Sequence, residues 1–211
     1  MKLKKFNNIN YKSKIGILGG SFDPPHTGHQ LIIFNILTSG FLDYSFIMPC
    51  INHPFDKNMS SFIHRLKMCE ITFSKFSNNK VLILDFENYL IIPTFSANTI
   101  ESIKLLRPDL SIFIIIGSDN WNKINKWYKY KYIHMLSNFI IFHRKNIINV
   151  NIRLINSISL FTTSNAFYIP NISSTYIRKI LKKDNIKKNI YLKNIIDKKI
   201  LNYIIDNKLY I

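Results

Sequence analysis

The sequence has few residues that could cross-link it, and it has no long hydrophobic run. Its two cysteines, Cys50 and Cys69, cannot build a disulfide scaffold, and no CxxC pair indicates zinc, so we expect a reducing compartment. The longest purely apolar runs, such as 112–116, are too short to span a bilayer. The apolar piece 15–18 is too short for the core of a signal peptide. These absences predict a soluble cytoplasmic protein with no membrane partner.

Acidic residues are also scarce, with 12 Asp and Glu against 29 Lys and Arg, for a formal net charge of +17. A strongly basic chain meets one criterion for nucleic-acid binding. The lysines are scattered, however, through a sequence rich in Ile and Asn, a bias that AT-rich codons produce without selection for a partner. We therefore interpret the charge as surface composition that allows weak, salt-sensitive polyanion binding, and we expect no specific nucleic-acid partner.

Hydrophobic residues, in contrast, make up 47% of the 211 positions, which is too much for a disordered chain and enough for one α/β domain or two small ones. Short runs rich in Ile, Val, Phe and Tyr predict strands at 14–18, 44–48, 81–85, 111–116, 138–142 and 166–169. Longer periodic segments predict helices at 29–39, 61–73, 97–106 and 120–136, the last broken near Trp127.

This alternation predicts βαβ units and therefore the α/β class, with a Rossmann-like open parallel sheet and helices on both faces. From residue 173 onward, apolar residues at helical spacing predict a helical C-terminal segment of two or three helices. Residues 145–159 are Asn-rich and weakly patterned, as in a linker. We expect a polar basic tail over residues 1–13 and a single domain over residues 14–211.

The most informative segment is GGSFDPPHTGH at residues 19–29, after the first predicted strand, where open α/β sheets bind their ligands. Its paired glycines let backbone N–H groups approach an anion closely. His26 and His29 lie three apart on one face of a helix start, with Gly28 between them, and can donate to phosphoryl oxygens. The segment has neither the Gly-Lys-Ser/Thr of a P-loop nor the GxGxxG of dinucleotide-binding proteins.

With HTGH at residues 26–29, the sequence resembles the T/HxGH signature of the nucleotidyltransferase superfamily, and within it the nicotinate (or nicotinamide) mononucleotide adenylyltransferases. The resemblance extends over residues 14–211. ISSTYIR at residues 172–178 resembles the ISxTxxR motif of this family, in which Ser173 or Ser174 would cap a helix. Arg178, one turn later, could bind phosphate oxygens bidentately.

A third segment, PTFSANTI at residues 93–100, resembles the family's P-S-Y-T-x-D-T-L. Phe95 stands for the usual Tyr, Ser96 for Thr and Asn98 for Asp, so any hydrogen bond from a Tyr hydroxyl is lost. The surviving aromatic–hydroxyl–Thr order indicates a role beside the substrate base. The alternative interpretation is that Ser96 only caps a helix.

Two further matches lie after the fourth and fifth predicted strands. GSD at residues 117–119, followed by Trp127, resembles the family's GxD…W segment. Asp119 could accept hydrogen bonds from ribose hydroxyls, and Trp127 could stack on a pyridine ring or belong to the core. Arg144 matches a family Arg near the nucleotide.

The loop after the second predicted strand departs from the family pattern. It reads HPFDK at residues 53–57 where many members have Pro-Pro-His-Lys. His53 or Lys57 could reach the phosphate of the mononucleotide, and Arg65 fits the family's R-x-x-M helix. This loop leaves the choice between nicotinate and nicotinamide open.

The resemblance implies adenylyl transfer, in which the phosphate of a pyridine mononucleotide attacks the α-phosphorus of ATP and expels pyrophosphate. It implies Mg²⁺ carried with ATP, no tightly bound cofactor and no dedicated protein metal site. The implied catalytic residues are His26, His29 and Arg178. The implied ATP-binding residues are Gly19, Gly20, Ser21, Phe22, His26, Gly28, His29, Gly117, Asp119, Arg144, Ile172, Ser173, Ser174, Thr175 and Arg178. The implied mononucleotide-binding residues are Ser21, Phe22, Lys57, Arg65, Phe95, Ser96, Thr99 and Trp127.

Other functions remain open on the sequence alone. Another enzyme of the superfamily, transferring AMP to phosphopantetheine or CMP to an alcohol, would share HTGH and ISST. The segments at residues 93–100 and 117–119 argue against such an enzyme, as does the greater length of this chain. A class I aminoacyl-tRNA synthetase fragment would need a KMSKS-like loop, which is not present. A basic nucleic-acid-binding protein with a relic site has only the charge in its favour.

Overall fold

A computed structural model describes residues 8–52, 59–76, 79–142, 158–160, 172–183 and 190–210. The strands among these residues are β1 (Lys14–Gly20), β2 (Tyr44–Pro49), β3 (Val81–Ile83), β4 (Ser111–Gly117), β5 (Asn138–Phe142) and β6 (Ile158–Leu160). The first five confirm predicted strands with small shifts of their ends. The sixth predicted strand, 166–169, lies outside the described residues.

The six strands form one sheet in the order β3-β2-β1-β4-β5-β6, and all neighbouring pairs are parallel. The chain moves outward from β1 to β3, returns to the centre at β4, and then moves outward on the other side. The direction of winding therefore reverses between β1 and β4. This arrangement confirms the Rossmann-like open parallel sheet and places a ligand-binding crevice at the carboxyl ends of these two strands.

β6 corrects one expectation. Residues 145–159 were expected to form a linker, but Ser159 pairs in parallel register with Ile140 of β5. The expectation was wrong at Ile158 and Ser159 because Ile158–Leu160 is only three residues long, and so short an edge strand carries too little pattern to be recognised.

The helices within the described ranges are α1 (Thr27–Ser39), α2 (Phe62–Phe73), α3 (Ser96–Leu106), α4 (Ser118–Trp121), α5 (Tyr130–Leu136), α6 (Ser174–Lys183), α7 (Ile190–Ile195) and α8 (Lys198–Asp206). Short 3₁₀ turns cover Ser74–Phe76, Phe86–Tyr89 and Ile124–Lys126. The predicted helix 120–136 is indeed broken at Trp127, which follows the last of these turns. None of the helices in the described ranges is long and apolar enough to cross a membrane.

Alternate residues of the central strands point to opposite faces of the sheet, and helices cover both faces. In β4, Ile112, Ile114 and Ile116 pack in one cluster with α3 and α5. Phe113 and Ile115 pack on the other face, in a cluster with α1 and α2. A strand buried on both sides needs apolar residues at every position, which explains the unbroken apolar run of β4.

The C-terminal helices confirm the predicted helical segment and pack beside α2. Their apolar faces form a third cluster with Met68 of α2, which includes Ile177, Leu192 and Ile204. A hydrogen bond between His64 Nδ1 and the Tyr203 hydroxyl (2.9 Å) also joins α2 to α8. α2 contributes to both the second and the third cluster and therefore links the sheet to the C-terminal helices.

Candidate active site

The loop between β1 and α1 carries the first motif. β1 ends at Gly20, and Phe22 follows with φ of 49°, a left-handed conformation that costs a residue other than glycine roughly 1–2 kcal/mol. The Phe22 ring is buried, with its centroid 5.0 Å from that of His29 and 6.2 Å from that of Phe73. Packing of this ring holds the loop, so any ligand contact of Phe22 would come from its backbone.

The two histidines of HTGH lie against each other at the start of α1. His26 is the N-cap residue and is 4% exposed, whereas His29 is half-buried, and their ring centroids are 3.9 Å apart. The backbone N–H of His26 donates to Nδ1 of His29 (3.2 Å). Because Nδ1 accepts this bond, the neutral His29 ring carries its proton on Nε2 and can donate from there.

The second predicted motif contacts the first. Ser173 caps α6, since its Oγ accepts from the backbone N–H of Tyr176 (3.2 Å). The Ser174 hydroxyl donates to the carbonyl oxygen of Pro24 (2.8 Å), and Arg178 Nη1 donates to that of Asp23 (2.6 Å). The N-termini of α1 and α6 are thereby joined through Asp23 and Pro24, which lie 155 and 150 positions, respectively, from their partners in α6.

The other two residues predicted in the second motif have different surroundings. Ile172 is buried in the third core cluster, so its side chain supports α6. Thr175 is exposed, and its hydroxyl accepts from Arg178 Nη2 (3.3 Å). The Arg178 side chain is thus held between its own helix and the first loop.

Asp23 joins three parts of the chain at this point, and sequence reasoning did not identify it. Its carboxylate is 1% exposed and accepts from the Tyr210 hydroxyl (2.5 Å) and from the backbone N–H of Ser60 (3.4 Å). Arg178 Nη1 lies 3.8 Å from the same carboxylate. Burial, together with the negative charge of Asp23, raises the pKa of Tyr210, which keeps its hydroxyl protonated as a donor.

Replacing Tyr210 tests this network. We expect Tyr210→Phe to lower the free energy of unfolding by about 1–3 kcal/mol, because a buried carboxylate loses a hydrogen-bond donor. Urea denaturation monitored by circular dichroism measures the difference. Tyr11→Phe is the matched control, since the Tyr11 side chain is 75% exposed and its variant should match the wild type. Equal urea midpoints for all three proteins would contradict the role of Tyr210.

The GSD segment lies where the sheet changes direction. Gly117 ends β4 and is the N-cap of α4, Ser118 is buried, and Asp119 is half-buried in the first turn. β1 and β4 are neighbours in the sheet and pair as far as Ile17 and Ile114, three residues before the two strands end at Gly20 and Gly117. The two predicted ATP-binding segments therefore lie side by side at the carboxyl edge of the sheet.

Near the start of α3, Phe95 contacts Tyr128, the sequence neighbour of Trp127, and these three side chains are called the aromatic group below. The Phe95 ring lies 4.7 Å from that of Tyr128, and the planes are tilted by 32°. Trp127, next to Tyr128, is half-buried and packs against the first core cluster. Phe95 is the N-cap residue and Ser96 is the exposed first residue of α3, so the N-cap alternative for Ser96 is wrong.

The Arg65 side chain lies between the first loop and the residues that follow β2. Its side chain is 1% exposed, and it donates four hydrogen bonds of 2.6–3.1 Å to backbone carbonyl oxygens. The acceptors are Ser60, Ser21, Cys50 and Ile51. Arg65 thereby holds the first loop against the end of β2. A direct contact with the mononucleotide stays a prediction, and these bonds give the guanidinium a structural role.

Glu87 is a second buried carboxylate that sequence reasoning did not identify. Its side chain accepts hydrogen bonds from the Ile51 backbone N–H (3.1 Å), the Thr94 hydroxyl (3.1 Å) and the Thr99 hydroxyl (3.2 Å). Burial raises the pKa of Glu87 although these donors and the nearby Arg65 favour its charged form. Thr99, predicted to contact the mononucleotide, is itself buried and faces Glu87, so a contact with substrate stays a prediction.

Gly19 lies at the exposed end of β1, where a Cβ atom would meet nothing within 4 Å. We expect Gly19→Ala to fold normally but to raise KM for ATP roughly tenfold, because a methyl group keeps the nucleotide from the backbone. Steady-state kinetics and thermal melting measure the two effects.

Gly16 of the same strand supplies the control for Gly19. A Cβ atom there would collide with Leu42 Cδ1 and lie 2.8 Å from Ile115 Cδ1. Gly16→Ala should therefore lose about 1–3 kcal/mol of stability and keep its KM for ATP. An unchanged KM for ATP in Gly19→Ala would show that the nucleotide does not approach β1.

Three residues of the sequence prediction lie outside the described residues, namely His53, Lys57 and Arg144. Within the described parts of the chain, no group of three His, Cys, Asp or Glu side chains is placed to hold a metal ion.

A sequence profile of the cytidylyltransferase-like family matches residues 17–180, a range that includes both of the motifs joined at Asp23 and Pro24. The match and the fold together define the chain as a nucleotidyltransferase.

Similarity to individual relatives shows which family of nucleotidyltransferases the chain belongs to. A probable nicotinate-nucleotide adenylyltransferase of Leptospira interrogans is 32% identical over 203 residues, which cover 92% of this chain and 96% of the relative. Another probable nicotinate-nucleotide adenylyltransferase, from Fusobacterium nucleatum, is 34% identical over 178 residues, which cover 82% of this chain and 90% of that relative. Among solved structures, the chain is similar to the nicotinic acid mononucleotide adenylyltransferase of Plasmodium falciparum complexed with NaAD. The two share 26% sequence identity, the TM-score is 0.83, and the match covers 94% of this chain and 97% of that chain. The chain belongs to the nicotinate-nucleotide adenylyltransferase family.

Proposed function

We propose that the chain transfers AMP from MgATP to nicotinate mononucleotide, forming the dinucleotide and pyrophosphate as a step of NAD biosynthesis. The observation that carries the proposal is the pair of hydrogen bonds from Ser174 and Arg178 to the carbonyl oxygens of residues 23–24. They bring two helix N-termini and the HTGH histidines to one end of the sheet. Two such termini suit a reaction between two polyanions.

In this proposal, His29, His26 and Arg178 form the catalytic group. The Nε2–H of His29 donates to the phosphoryl oxygens of ATP, and the ring of His26, with its centroid 3.9 Å away and its plane tilted by 34°, fixes its orientation. Arg178 contributes positive charge from α6. These groups stabilise charge that develops on the leaving pyrophosphate, while the backbone at Gly19, Gly117 and Asp119 borders the nucleotide.

The nucleophile of this reaction is a phosphate that is already an anion, so the protein needs no general base. The reaction also needs no covalent intermediate, and the thiol of Cys50, whose backbone N–H donates to the Gly20 carbonyl oxygen (2.9 Å), is unsuited to forming one. Burial raises the pKa of Cys50, despite the opposing effect of Arg65, and this disfavours the reactive thiolate. Catalysis then rests on holding the two substrates in line and on neutralising charge.

Mg²⁺ enters this proposal as part of the substrate MgATP, where it neutralises phosphate charge and keeps most of its waters. The mononucleotide would lie beside the aromatic group of Phe95, Tyr128 and Trp127. We further propose that residues 14–211 act as one nucleotidyltransferase unit, supported by α2, which packs on both the sheet and the C-terminal helices.

The decisive experiment is incubation of the purified chain with MgATP and either nicotinate or nicotinamide mononucleotide, with dinucleotide and pyrophosphate both assayed. We expect both products with nicotinate mononucleotide. Release of neither product from either substrate would overturn the proposal. A clear preference for nicotinamide mononucleotide would keep the reaction and change the substrate.

A further inference from the structure

Glu87 holds together two segments that are far apart in the chain and border the proposed mononucleotide site. It lies in the 3₁₀ turn Phe86–Tyr89 after β3 and is 9% exposed. Its Oε2 atom accepts from the Ile51 N–H and the Thr94 hydroxyl, and its Oε1 atom accepts from the Thr99 hydroxyl. The first donor follows β2, and the other two flank the start of α3.

Each of these donors is close to a residue that the proposed function uses. Thr94 immediately precedes Phe95, and the Thr99 hydroxyl lies 3.4 Å from the Phe95 carbonyl oxygen. The carbonyl oxygen of Ile51 accepts from Arg65, which also holds Ser21 of the first loop. Glu87 and Arg65 therefore act on the same loop, one through the Ile51 N–H and the other through its carbonyl.

We propose that Glu87 is a positioning residue for the mononucleotide half of the site, where it fixes the start of α3 and its Phe95 relative to the loop after β2. The role rests on the proposed function. Glu87 acts through Thr94, Thr99 and Ile51 and does not itself touch substrate. It differs from Arg65 in that it reaches the aromatic group, whereas Arg65 reaches the first loop.

A carboxylate suits a residue that joins these three donors. Three donors converge on two oxygens, and an ionised carboxylate accepts all of them without offering a competing donor. Burial raises the pKa of Glu87 above its unfolded value, so this group contributes stability at low pH that is lost as the pH rises through the folded pKa. The three hydrogen-bond donors and the nearby Arg65 oppose the effect of burial and favour the charged form.

The test compares Glu87→Gln with Glu101→Gln, measured for KM of both substrates, kcat and melting temperature. Glu101 lies on α3, where its carboxylate accepts from the Tyr132 hydroxyl (2.9 Å), and it controls for loss of one negative charge. In Glu87→Gln we expect KM for nicotinate mononucleotide to rise roughly tenfold, because hydrogen bonds to a charged acceptor are replaced by weaker neutral ones. The KM for ATP should stay within about twofold, and a fall in melting temperature without a change in either KM is not expected. Glu101→Gln should match the wild type in both KM values.

A second measurement does not depend on catalysis. The Ile51 amide is hydrogen-bonded to Glu87, so its hydrogen exchange should accelerate in Glu87→Gln and stay unchanged in Glu101→Gln. Wild-type activity with an unchanged mononucleotide KM in Glu87→Gln would overturn the role of Glu87 alone, as would a lower melting temperature with both KM values unchanged. A wild-type protein that makes no dinucleotide would overturn the proposed function and this role with it.

Discussion

Replacing His29 with alanine is expected to lower kcat by roughly 10²–10³, as removal of one preorganised transition-state donor typically does. The structure gives the physical reason. Because the His26 N–H donates to Nδ1 of His29, the remaining ring nitrogen carries a proton and donates. A phosphoryl oxygen gains charge during the reaction, so this hydrogen bond is stronger in the transition state than in the ground state. Loss of His29 should therefore reduce kcat more than it raises KM for ATP.

Two further variants at the same position separate catalysis from helix capping. In His29→Asn, the side-chain oxygen can take the place of Nδ1 and accept from the His26 N–H, but no group takes the place of Nε2. In His29→Gln, the amide nitrogen can reach the Nε2 position. We expect Asn to restore the melting temperature without restoring kcat, and Gln to recover part of kcat. A kcat within threefold of wild type in His29→Ala would show that the histidine only caps its helix.

The residues of the first motif could be predicted from sequence because the features that define them are local. Gly19, Gly20, His26 and His29 all lie within 11 positions, directly after a run that predicts a strand. The end of β1, the loop and the start of α1 follow one another without a gap, so the order of residues alone predicts a helix N-terminus at the end of a strand, an arrangement that suits a phosphate.

The groups that hold this motif in place could not be predicted in the same way. Tyr210 lies 187 positions from Asp23, and Arg65 lies 44 positions from Ser21. The first contact exists only after the C-terminal helices have packed, and the second only after α2 has packed on the sheet. Nothing around Tyr210 distinguishes it from the other tyrosines in the sequence.

Glu87 could in part have been identified from sequence. It is one of only 12 acidic residues, and it lies next to an apolar strand and just before the Pro93–Ile100 segment. An acid in such surroundings is either exposed at the end of a strand or buried with hydrogen-bond donors. Only the structure decides between these possibilities, because the donor Ile51 comes from a different strand end.

Replacing Trp127 with alanine is expected to raise KM for nicotinate mononucleotide roughly 5- to 150-fold, since stacking on an aromatic side chain contributes about 1–3 kcal/mol. The charge of the pyridine ring does not change as phosphorus is attacked, so stacking stabilises the ground state and the transition state similarly. Loss of such uniform binding should leave kcat and the KM for ATP nearly unchanged. Trp127→Phe keeps a flat ring and should lose much less affinity.

Trp121 provides the comparison for stability. It is 1% exposed in the first core cluster, so Trp121→Ala should cost about 3–5 kcal/mol and lower the melting temperature strongly. Trp127 is only half-buried against the same cluster, so Trp127→Ala should cost less. Measuring both KM values and the melting temperature on each variant separates the two roles. A Trp127→Ala protein as unstable as Trp121→Ala would assign Trp127 to the core. A stable Trp127→Ala protein with unchanged mononucleotide KM would remove it from the site.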